Sequence, residues 1–330
     1  MLPVAIDVMS GDGGVGERIT GVACALRADP DLTVLLTGRP ASIDIHLQDL
    51  PPGLRTRIGC VAASQVIAMD TPPRAAIRGG RDSSMRVAVN LVGQGRAVAC
   101  VSAGNTGALH AMAHYVLKTV APVERAAIVS AVPSAAGHTL MLDLGANTRA
   151  SALQLLQFAT MGSVAAREWS ALFRPRVGLL NVGEEDMKGH DTVREAHALL
   201  LQSGLNYIGF VEGDDIFSGR VDVVVTDGFT GNVALKTMEG LARMVGERTR
   251  REFTAGLGNR LAAWLARSSL RRLAQGLDPR RYNGACMVGL GGLVVKSHGH
   301  ADATAFARAV ELAATLGRGN LCAQLAQAFV

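Results

Sequence analysis

Five short clusters of polar residues and glycine carry the residue types best suited to chemistry. Asparagine, lysine, histidine and hydroxyl side chains alternate there with glycines, which leave backbone N–H groups open to a ligand. Four of the five clusters follow a predicted strand, and most precede a predicted helix whose N-terminus adds positive potential. Together they predict a crevice that holds an anion at the carboxyl ends of the strands. The clusters are residues 102–107, 143–147, 181–189, 227–232 and 296–299.

The lysines point to the same clusters. Lysine and arginine together number 33, yet the only lysines are Lys118, Lys188, Lys236 and Lys296. Three of the four lie in or beside the clusters, which suggests places where a compact, mobile ammonium is needed. His298, in a glycine-flanked turn, is the histidine best placed for a site. Asp143 and Asp227 are expected to hold loops by accepting hydrogen bonds from backbone N–H groups.

A glycine run at residues 11–16 matches the G-x-G-x-x-G pattern of dinucleotide-binding loops, after the first strand and before a helix. The second strand ends without an acidic residue for a ribose hydroxyl, and Arg39 at that point would suit only a 2′-phosphate. We therefore favour a tight turn that lets the backbone approach an anion or a neighbouring element. No G-x-S-x-G, Walker A or H-E-x-x-H motif occurs, and no metal site is predicted.

The elements that position these clusters follow from an alternation of apolar strands and amphipathic helices. The 330 residues are 48% hydrophobic and 18% charged, which is enough for one large core. The alternation predicts one α/β domain over residues 1–330, with a mostly parallel sheet covered on both faces. The start resembles a strand and not a signal peptide, and the odd, dispersed cysteines suggest buried reduced thiols. A cytoplasmic protein is expected.

Residues 255–281 depart from this alternation as a basic amphipathic helix or helical hairpin. The net charge of +5 and the pI near 9.2 favour an acidic partner. Nucleic acid is the least favoured partner because aromatic residues, at 4%, do not interleave with the arginines. Packing on the protein's own core or on a second subunit remains an alternative to docking a carrier protein or a membrane.

Nine motifs, in order, resemble the phosphate acyltransferase family of bacterial phospholipid synthesis. They are DVMSGD at 7–12, RDSSM at 81–85, SAGNTGA at 102–108, LDLGAN at 142–147, NVGEE at 181–185, KG at 188–189, DGFTGNV at 227–233, YNGA at 282–285 and KSHG at 296–299. The resemblance implies a Rossmann-like αβα sandwich akin to phosphotransacetylases and isocitrate dehydrogenases. It also implies transfer of a long-chain acyl group from acyl carrier protein to inorganic phosphate, without a cofactor.

The same resemblance implies several partners for the protein. They are a second copy in a homodimer, the inner face of the cell membrane in peripheral contact, and a downstream glycerol-3-phosphate acyltransferase that uses acyl phosphate. The acidic carrier protein and anionic lipid are both expected to bind the basic helical segment. The residues expected to dock carrier or membrane are Arg260, Trp264, Arg267, Arg271 and Arg272.

Within the family resemblance, phosphate attacks the thioester directly and the protein mainly positions the reactants. Lys188 and Lys296 would neutralise phosphate, the cluster asparagines would orient it or the carbonyl, and His298 would assist proton balance at sulfur. The catalytic candidates are Lys188, Asn232 and His298. The binding candidates are Asp7, Gly11, Asp12, Ser102, Gly104, Asn105, Thr106, Asn147, Glu184, Asp227, Thr230, Gly231 and Lys296.

Three alternatives remain at this stage. A phosphotransacetylase-like enzyme acting on acyl-CoA would share the chemistry. A dehydrogenase using NAD(P) rests on the glycine run at residues 11–16. A non-catalytic scaffold that binds carrier protein or lipid rests on the basic helix alone and leaves the strand-end clusters unexplained.

Overall fold

The computed structural model describes residues 2–329, apart from the side chains of residues 273–277 and residue 279. Within this range eleven strands form one sheet, in the order β3-β2-β1-β4-β11-β10-β5-β6-β9-β7-β8. The strands are β1 (Val4–Asp7), β2 (Val34–Gly38), β3 (Ile58–Ala62), β4 (Ala99–Ser102), β5 (Ala127–Ser134), β6 (Gly137–Leu142), β7 (Val177–Leu180), β8 (Tyr207–Val211), β9 (Val223–Val225), β10 (Ala285–Val288) and β11 (Leu293–Lys296).

The sheet joins two parallel sets of strands that run in opposite directions. Strands β1, β2, β3, β4 and β11 form one set, and β6, β7, β8 and β9 form the other. Between them β10 and β5 pair antiparallel with each other and with their neighbours. The carboxyl ends of the two sets therefore lie at opposite ends of the strands. Each line of strand ends is called an edge of the sheet below, and the sequence argument expected all the clusters at one common edge.

Fourteen helices accompany the sheet in the described range. They are α1 (Gly14–Ala28), α2 (Pro40–Leu47), α3 (Pro52–Arg55), α4 (Pro73–Gly79), α5 (Ser84–Gly93), α6 (Thr106–Leu117), α7 (Ala152–Ser170), α8 (Asp191–Leu201), α9 (Asp215–Ser218), α10 (Gly228–Thr254), α11 (Leu257–Leu265), α12 (Arg267–Leu277), α13 (Ala303–Arg318) and α14 (Leu321–Ala328).

Alternate residues along each strand enter two different cores. In β1, Val4 and Ile6 join the core under α1, α7, α8, α13 and α14, while Ala5 joins the core under α4, α5 and α6. This alternation is the period of two expected for strands covered on both faces. Helix α10 begins on the second face, where Leu235 and Met238 pack against the same core as α6. The predicted αβα arrangement with a mostly parallel sheet is confirmed.

Helix α10 differs most from its prediction. The sequence argument began this helix at residue 233 and treated residues 227–232 as a loop, but the helix starts at Gly228. It runs on to Thr254, and its second half is exposed. The basic segment that follows forms two helices, α11 and α12, with no buried side chain in α11. No helix within residues 2–329 has both the length and the apolar character needed to span a membrane.

Candidate active site

The glycine turn after β1 is packed against two other parts of the chain. Gly11 has φ +92°, and a Cβ there would lie 2.8 Å from Nη2 of Arg18 and 3.1 Å from the carbonyl oxygen of Gly299. The backbone N–H of Asp12 donates to that same oxygen at 3.0 Å. This glycine therefore serves close approach of a neighbouring protein segment, as the tight-turn interpretation held, and the residue that approaches it is an arginine.

Arg18 is a fully buried cation that sequence analysis missed. Its Nη1 donates to the carbonyl oxygen of Ala301 at 2.6 Å and its Nη2 to that of Gly299 at 3.0 Å. The guanidinium also lies over the ring of Phe306, 5.0 Å from its centroid. Burial is the main reason why the pKa of Arg18 lies below its ordinary value. Within residues 2–329 no carboxylate pairs with it, so a positive charge remains beside the loop after β11.

Lys296 ends β11 as a second buried cation. Its Nζ donates to the carbonyl oxygens of Ser297 and, at 3.5 Å, Ala103. Burial is the main reason why the pKa of Lys296 falls to about 8; Arg18 and Lys236 lower it further, against carboxylates on the first strand and turn. Two buried cations without an ion-pair partner in the described chain favour an anion at this edge of the sheet.

The turn that carries His298 is held by Asn283. The side-chain amide of Asn283 donates to Ser297 Oγ at 2.9 Å, and its oxygen accepts the backbone N–H of His298 at 3.0 Å. His298 Nδ1 accepts the backbone N–H of His300 at 3.3 Å, so in the neutral ring the proton sits on Nε2. Burial is the first cause that lowers the pKa of His298. A neutral imidazole with a free Nε2–H can donate to a developing negative charge.

Several other predicted residues of this edge have side chains committed to the fold. Asp7 accepts the hydroxyl of Ser102 at 2.7 Å, and Ser102 Oγ in turn accepts the backbone N–H of Gly104 at 3.1 Å. Asn105 caps α6 by accepting the N–H of residue 108 at 2.8 Å, and its amide ties down the loop at residues 69–71. Thr106 is the exposed first residue of α6. These side chains shape the loops and leave backbone groups for a ligand.

At the opposite edge, Asp143 organises the loop after β6. Its buried carboxylate accepts four backbone N–H groups, those of residues 128, 145, 146 and 147, and the side-chain amide of Asn147. Asn147 also donates to a backbone oxygen at residue 126, at 2.8 Å, so its side chain is structural. The expectation that Asp143 holds a loop agrees with this geometry.

The start of α10 fits against the Asp143 loop. Asp227 caps the helix, with Oδ1 accepting the N–H of Thr230 at 2.9 Å and Oδ2 accepting its hydroxyl at 3.0 Å. A Cβ at Gly231 would overlap the carbonyl oxygen of Asp143, so only glycine allows this contact. Asn232 is exposed, and its side chain makes no hydrogen bond within residues 2–329. Of this cluster, Asn232 alone presents an uncommitted polar side chain.

Lys188 lies at the same edge, in the loop after β7. Its Nζ pairs with Glu185 at 2.6 Å, and this hydrogen bond is the first cause that raises the pKa of Lys188. Glu184 pairs instead with Arg220 at 2.7 Å. The register of β7 on β9 ends with Leu179 opposite Val225, so the loops that follow the two strands begin side by side.

Helix α10 links the two edges. It starts in the Asp143 loop, and two turns later Lys236 comes close enough to lower the pKa of both Lys296 and His298. The carboxylate of Glu239, which pairs with Lys236 at 2.8 Å, raises the pKa of His298. The predicted clusters are therefore brought into two groups, one around Lys296 and one around Asn232, on one face of the sheet.

The residues predicted to dock carrier or membrane lie apart from these two groups. Arg260, Trp264, Arg267, Arg271 and Arg272 are all exposed, and none pairs with a carboxylate within the described residues. Within those residues, no group of three or more histidine, cysteine, aspartate or glutamate side chains has the geometry to hold a metal ion. Sequence analysis missed Arg18, which carries no signal that separates it from a surface arginine. It placed Asn283 in the YNGA motif at residues 282–285 but gave this side chain no role in the site.

Comparisons with known proteins agree with this geometry. A family model described as "fatty acid synthesis protein" matches residues 2–324. A phosphate acyltransferase of Methylococcus capsulatus is 48% identical over 313 residues, or 95% of this chain and 92% of the relative. One of Alkalilimnicola ehrlichii is 49% identical over 310 residues, covering 94% and 91%. The chain belongs to the phosphate acyltransferase family. The predicted resemblance and the acyltransferase class of enzyme are thereby confirmed.

Solved structures outside the phosphate acyltransferase family share the fold. EutD phosphotransacetylase from Staphylococcus aureus has a TM-score of 0.62 at 16% identity, covering 96% of this chain and 94% of that one. A 4-hydroxythreonine-4-phosphate dehydrogenase from Burkholderia phymatum has a TM-score of 0.51 at 16% identity, covering 96% and 98%. Likeness at this identity establishes the αβα architecture alone.

Proposed function

We propose that the protein transfers a long-chain fatty acyl group from acyl carrier protein to inorganic phosphate and releases acyl phosphate. The observation that carries this proposal is the pair of buried cations, Lys296 and Arg18, which has no carboxylate partner in the described chain. Such a pair is costly unless an anion arrives to compensate it. Inorganic phosphate is the anion that the name of the family's curated members indicates.

The chemistry needs one bond to form and one to break. An oxygen of hydrogen phosphate attacks the thioester carbonyl, the C–S bond breaks, and the proton of hydrogen phosphate passes to the departing sulfur. A thiolate, whose conjugate acid has a pKa near 8.5, is a good leaving group, so no acyl-enzyme is required. The protein's main tasks are to position phosphate against the carbonyl and to stabilise the oxyanion.

We assign these tasks to Lys296, His298, Asn232 and Lys188. Lys296 holds phosphate, and Nε2–H of His298 donates to the oxyanion or to sulfur. Asn232 orients the carbonyl. Lys188 lies with Asn232, at the other end of the strands and five strand positions away from Lys296, so we assign it to the acyl donor and not to the phosphate. Its release from Glu185 costs little because an exposed ion pair is weak.

Peripheral membrane contact and a homodimer belong to the same proposal. Helix α11 exposes Leu257, Leu261, Trp264 and Leu265, with arginines around them, which suits the surface of an anionic membrane. Helix α10 exposes Leu241, Met244 and Val245 on one face, which suits a second copy of the chain. At the cytoplasmic face of the membrane, the acyl phosphate would pass to a glycerol-3-phosphate acyltransferase.

Thiol release from palmitoyl-acyl carrier protein, with and without phosphate, tests the reaction. Hydroxylamine should trap the product as a hydroxamate only when phosphate is present. Palmitoyl-CoA and acetyl-CoA serve as alternative donors, and a clear preference for acetyl-CoA would favour a phosphotransacetylase instead. Absence of phosphate-dependent thiol release with every donor would overturn the proposal.

A further inference from the structure

A basic pocket lies on the outer surface of α4, α5 and α6, away from the sheet. It has a volume of about 670 Å³ and is lined by Ile77, Arg78, Arg81, Arg86, Asn90 and Tyr115. Three arginines around one concavity are unusual for a pocket that none of the proposed catalytic residues lines. We therefore consider this pocket as a binding site separate from the catalytic residues.

Arg86 is held in a fixed orientation for binding. Its Nε donates to Oδ1 of Asn90 at 3.1 Å, and its guanidinium carbon lies 4.8 Å from the centroid of the Tyr115 ring. No acceptor within residues 2–329 takes up its two terminal nitrogens, which are open to solvent. A guanidinium fork fixed in this way can bind a carboxylate or phosphate in bidentate fashion at a small cost in entropy.

The charge of the pocket is uncompensated. Arg78 and Arg81 are exposed, and neither they nor Arg86 pairs with a carboxylate in the described part of the chain. Elsewhere the protein does pair such arginines, as between Arg176 and Asp222 at 2.8 Å. The pocket is therefore complementary to a partner with clustered negative charge.

The position of the pocket relative to the site favours the acyl donor as that partner. Tyr115 lies nine residues after Thr106, about 14 Å along α6 at about 1.5 Å per residue. Helix α11, by contrast, follows the end of α10 at Thr254, about 27 Å along the axis from Lys236. Helix α6 thus joins the pocket directly to the loop at residues 102–107, whose Ala103 oxygen accepts a hydrogen bond from Lys296.

We propose that the arginine pocket docks the acidic surface of the acyl carrier protein, so that the tethered thioester enters beside the start of α6. This inference rests on the proposed function for the identity of the donor. It leaves the basic helices α11 and α12 to the membrane, whereas the sequence argument gave them both partners. Docking at the pocket fixes the carrier, while Lys296, His298 and Asn232 act on the thioester.

Binding of acyl carrier protein is the test, because it can be measured without turnover. The double variant Arg78→Gln/Arg81→Gln removes two charges from the pocket. The matched control, Arg55→Gln/Arg167→Gln, removes two exposed and unpaired arginines from other faces of the molecule. Fluorescence anisotropy of labelled palmitoyl-acyl carrier protein gives the Kd for each protein, at low and at physiological salt.

We expect the pocket variant to raise the Kd at least tenfold and to flatten its salt dependence, with the control within twofold of the parent. In turnover, the pocket variant should raise the KM for the carrier thioester and leave the KM for phosphate and for palmitoyl-CoA unchanged. An unchanged Kd in the pocket variant overturns the docking inference, even if the parent protein transfers acyl groups normally. Equal losses with palmitoyl-CoA would also overturn it, because the pocket would then bind a phosphate that both donors share. Normal binding with no transfer in the parent would count against the proposed function alone.

Discussion

Lys296 combines burial with positive charge, so its protonation sets a limit on activity. Since the pKa of Lys296 lies at about 8, the ammonium is lost as the pH rises through that value. We expect kcat/KM for phosphate to fall about tenfold per pH unit above that pKa. Lys296→Arg should move the fall to higher pH, because a guanidinium stays charged. A profile that stays flat to pH 9.5 in the parent enzyme would contradict this role.

The same lysine should cost stability at neutral pH. Its folded pKa of about 8 lies below the ordinary lysine pKa of 10.5, so between these pH values the unfolded chain binds the extra proton. The contribution of Lys296 to the free energy of unfolding therefore rises as the pH increases from about 8 to 10.5. We expect Lys296→Met to be up to about 3 kcal/mol more stable than the parent at pH 7. In urea titrations the difference should shrink towards pH 10; a constant difference would contradict the assignment.

Lys188 should matter for catalysis and little for stability. Its pairing with Glu185 is a surface contact of the kind worth at most about 1 kcal/mol. Lys188→Ala is expected to lower kcat at least about 100-fold, the cost of losing one preorganised electrostatic contact, with an unchanged Tm. Arg308→Ala removes a comparable surface pair with Glu311, at 2.6 Å, and should leave kcat unchanged. A nearly parental rate for Lys188→Ala would remove Lys188 from the site.

Site residues could be predicted where their sequence neighbours are unusual. They could not be predicted where only burial in the folded protein distinguishes them. His298 stood out because it lies in a glycine-flanked polar turn, and Lys296 because it is one of only four lysines in the sequence. Arg18 could not be recognised, since an arginine early in an amphipathic helix is normally solvated. Asn105 and Asn147 have the residue type of a catalytic group, but their amides hold loops.

Among the elements, α10 depends on a glycine contact at its start. Gly231→Ala would push a methyl group into the carbonyl oxygen of Asp143, and we expect it to cost about 1–3 kcal/mol. Gly240, in the same helix, faces open space, so Gly240→Ala should stabilise the protein by up to about 1 kcal/mol. Urea denaturation of the two variants measures both effects. Equal shifts in the same direction would mean that the Asp143 contact is unimportant.

Helix α11 should respond to membranes through Trp264, whose side chain is 63% exposed. Vesicles with anionic lipid are expected to shift its fluorescence to the blue, less so at high salt. Leu257→Ser/Leu261→Ser should weaken vesicle binding, while Ile45→Ser, an exposed apolar residue in α2, should not. Equal responses to neutral and anionic vesicles would argue against the charge-based part of the membrane proposal.

Prediction of the elements succeeded where apolar runs were continuous and failed where they were interrupted or irregular. Strands β10 and β11 were missed because the glycines at positions 289, 291 and 292 interrupt their apolar run, whereas the equally short strands β1, β4 and β7 were predicted. Strand β3 was missed because it is only partly buried and lacks a clear alternation. The start of α10 was placed too late because Gly228 and Gly231 favour a loop in isolation, and only the neighbouring Asp143 loop explains them.

In the whole molecule, the exposed second half of α10 is the surface where we expect a second copy of the chain to bind. Leu241, Met244 and Val245 are each about half exposed or more, on one face of a long helix. Leu241→Glu/Met244→Glu should convert a dimer into a monomer in analytical ultracentrifugation. Leu199→Glu, on α8, is the control and should leave the oligomeric state unchanged. A monomeric parent protein at micromolar concentration would reject the homodimer.

The reversal of strand direction in the middle of the sheet could not be foreseen. Alternating strands and helices predict parallel pairing locally, but β5, β6 and β10 are joined antiparallel. Strand order depends on contacts between distant parts of the chain, and the sequence pattern carries little of that information.

The packing of Gly11, Arg18 and Gly299 also has a genetic consequence. Gly299 lies far from the other two in the sequence, yet any side chain at position 11 needs Arg18 to withdraw, and its withdrawal frees the oxygen of Gly299. Substitutions at the three positions are therefore not independent, and selection acts on them as one unit. A mutational library should show strong epistasis among these three positions.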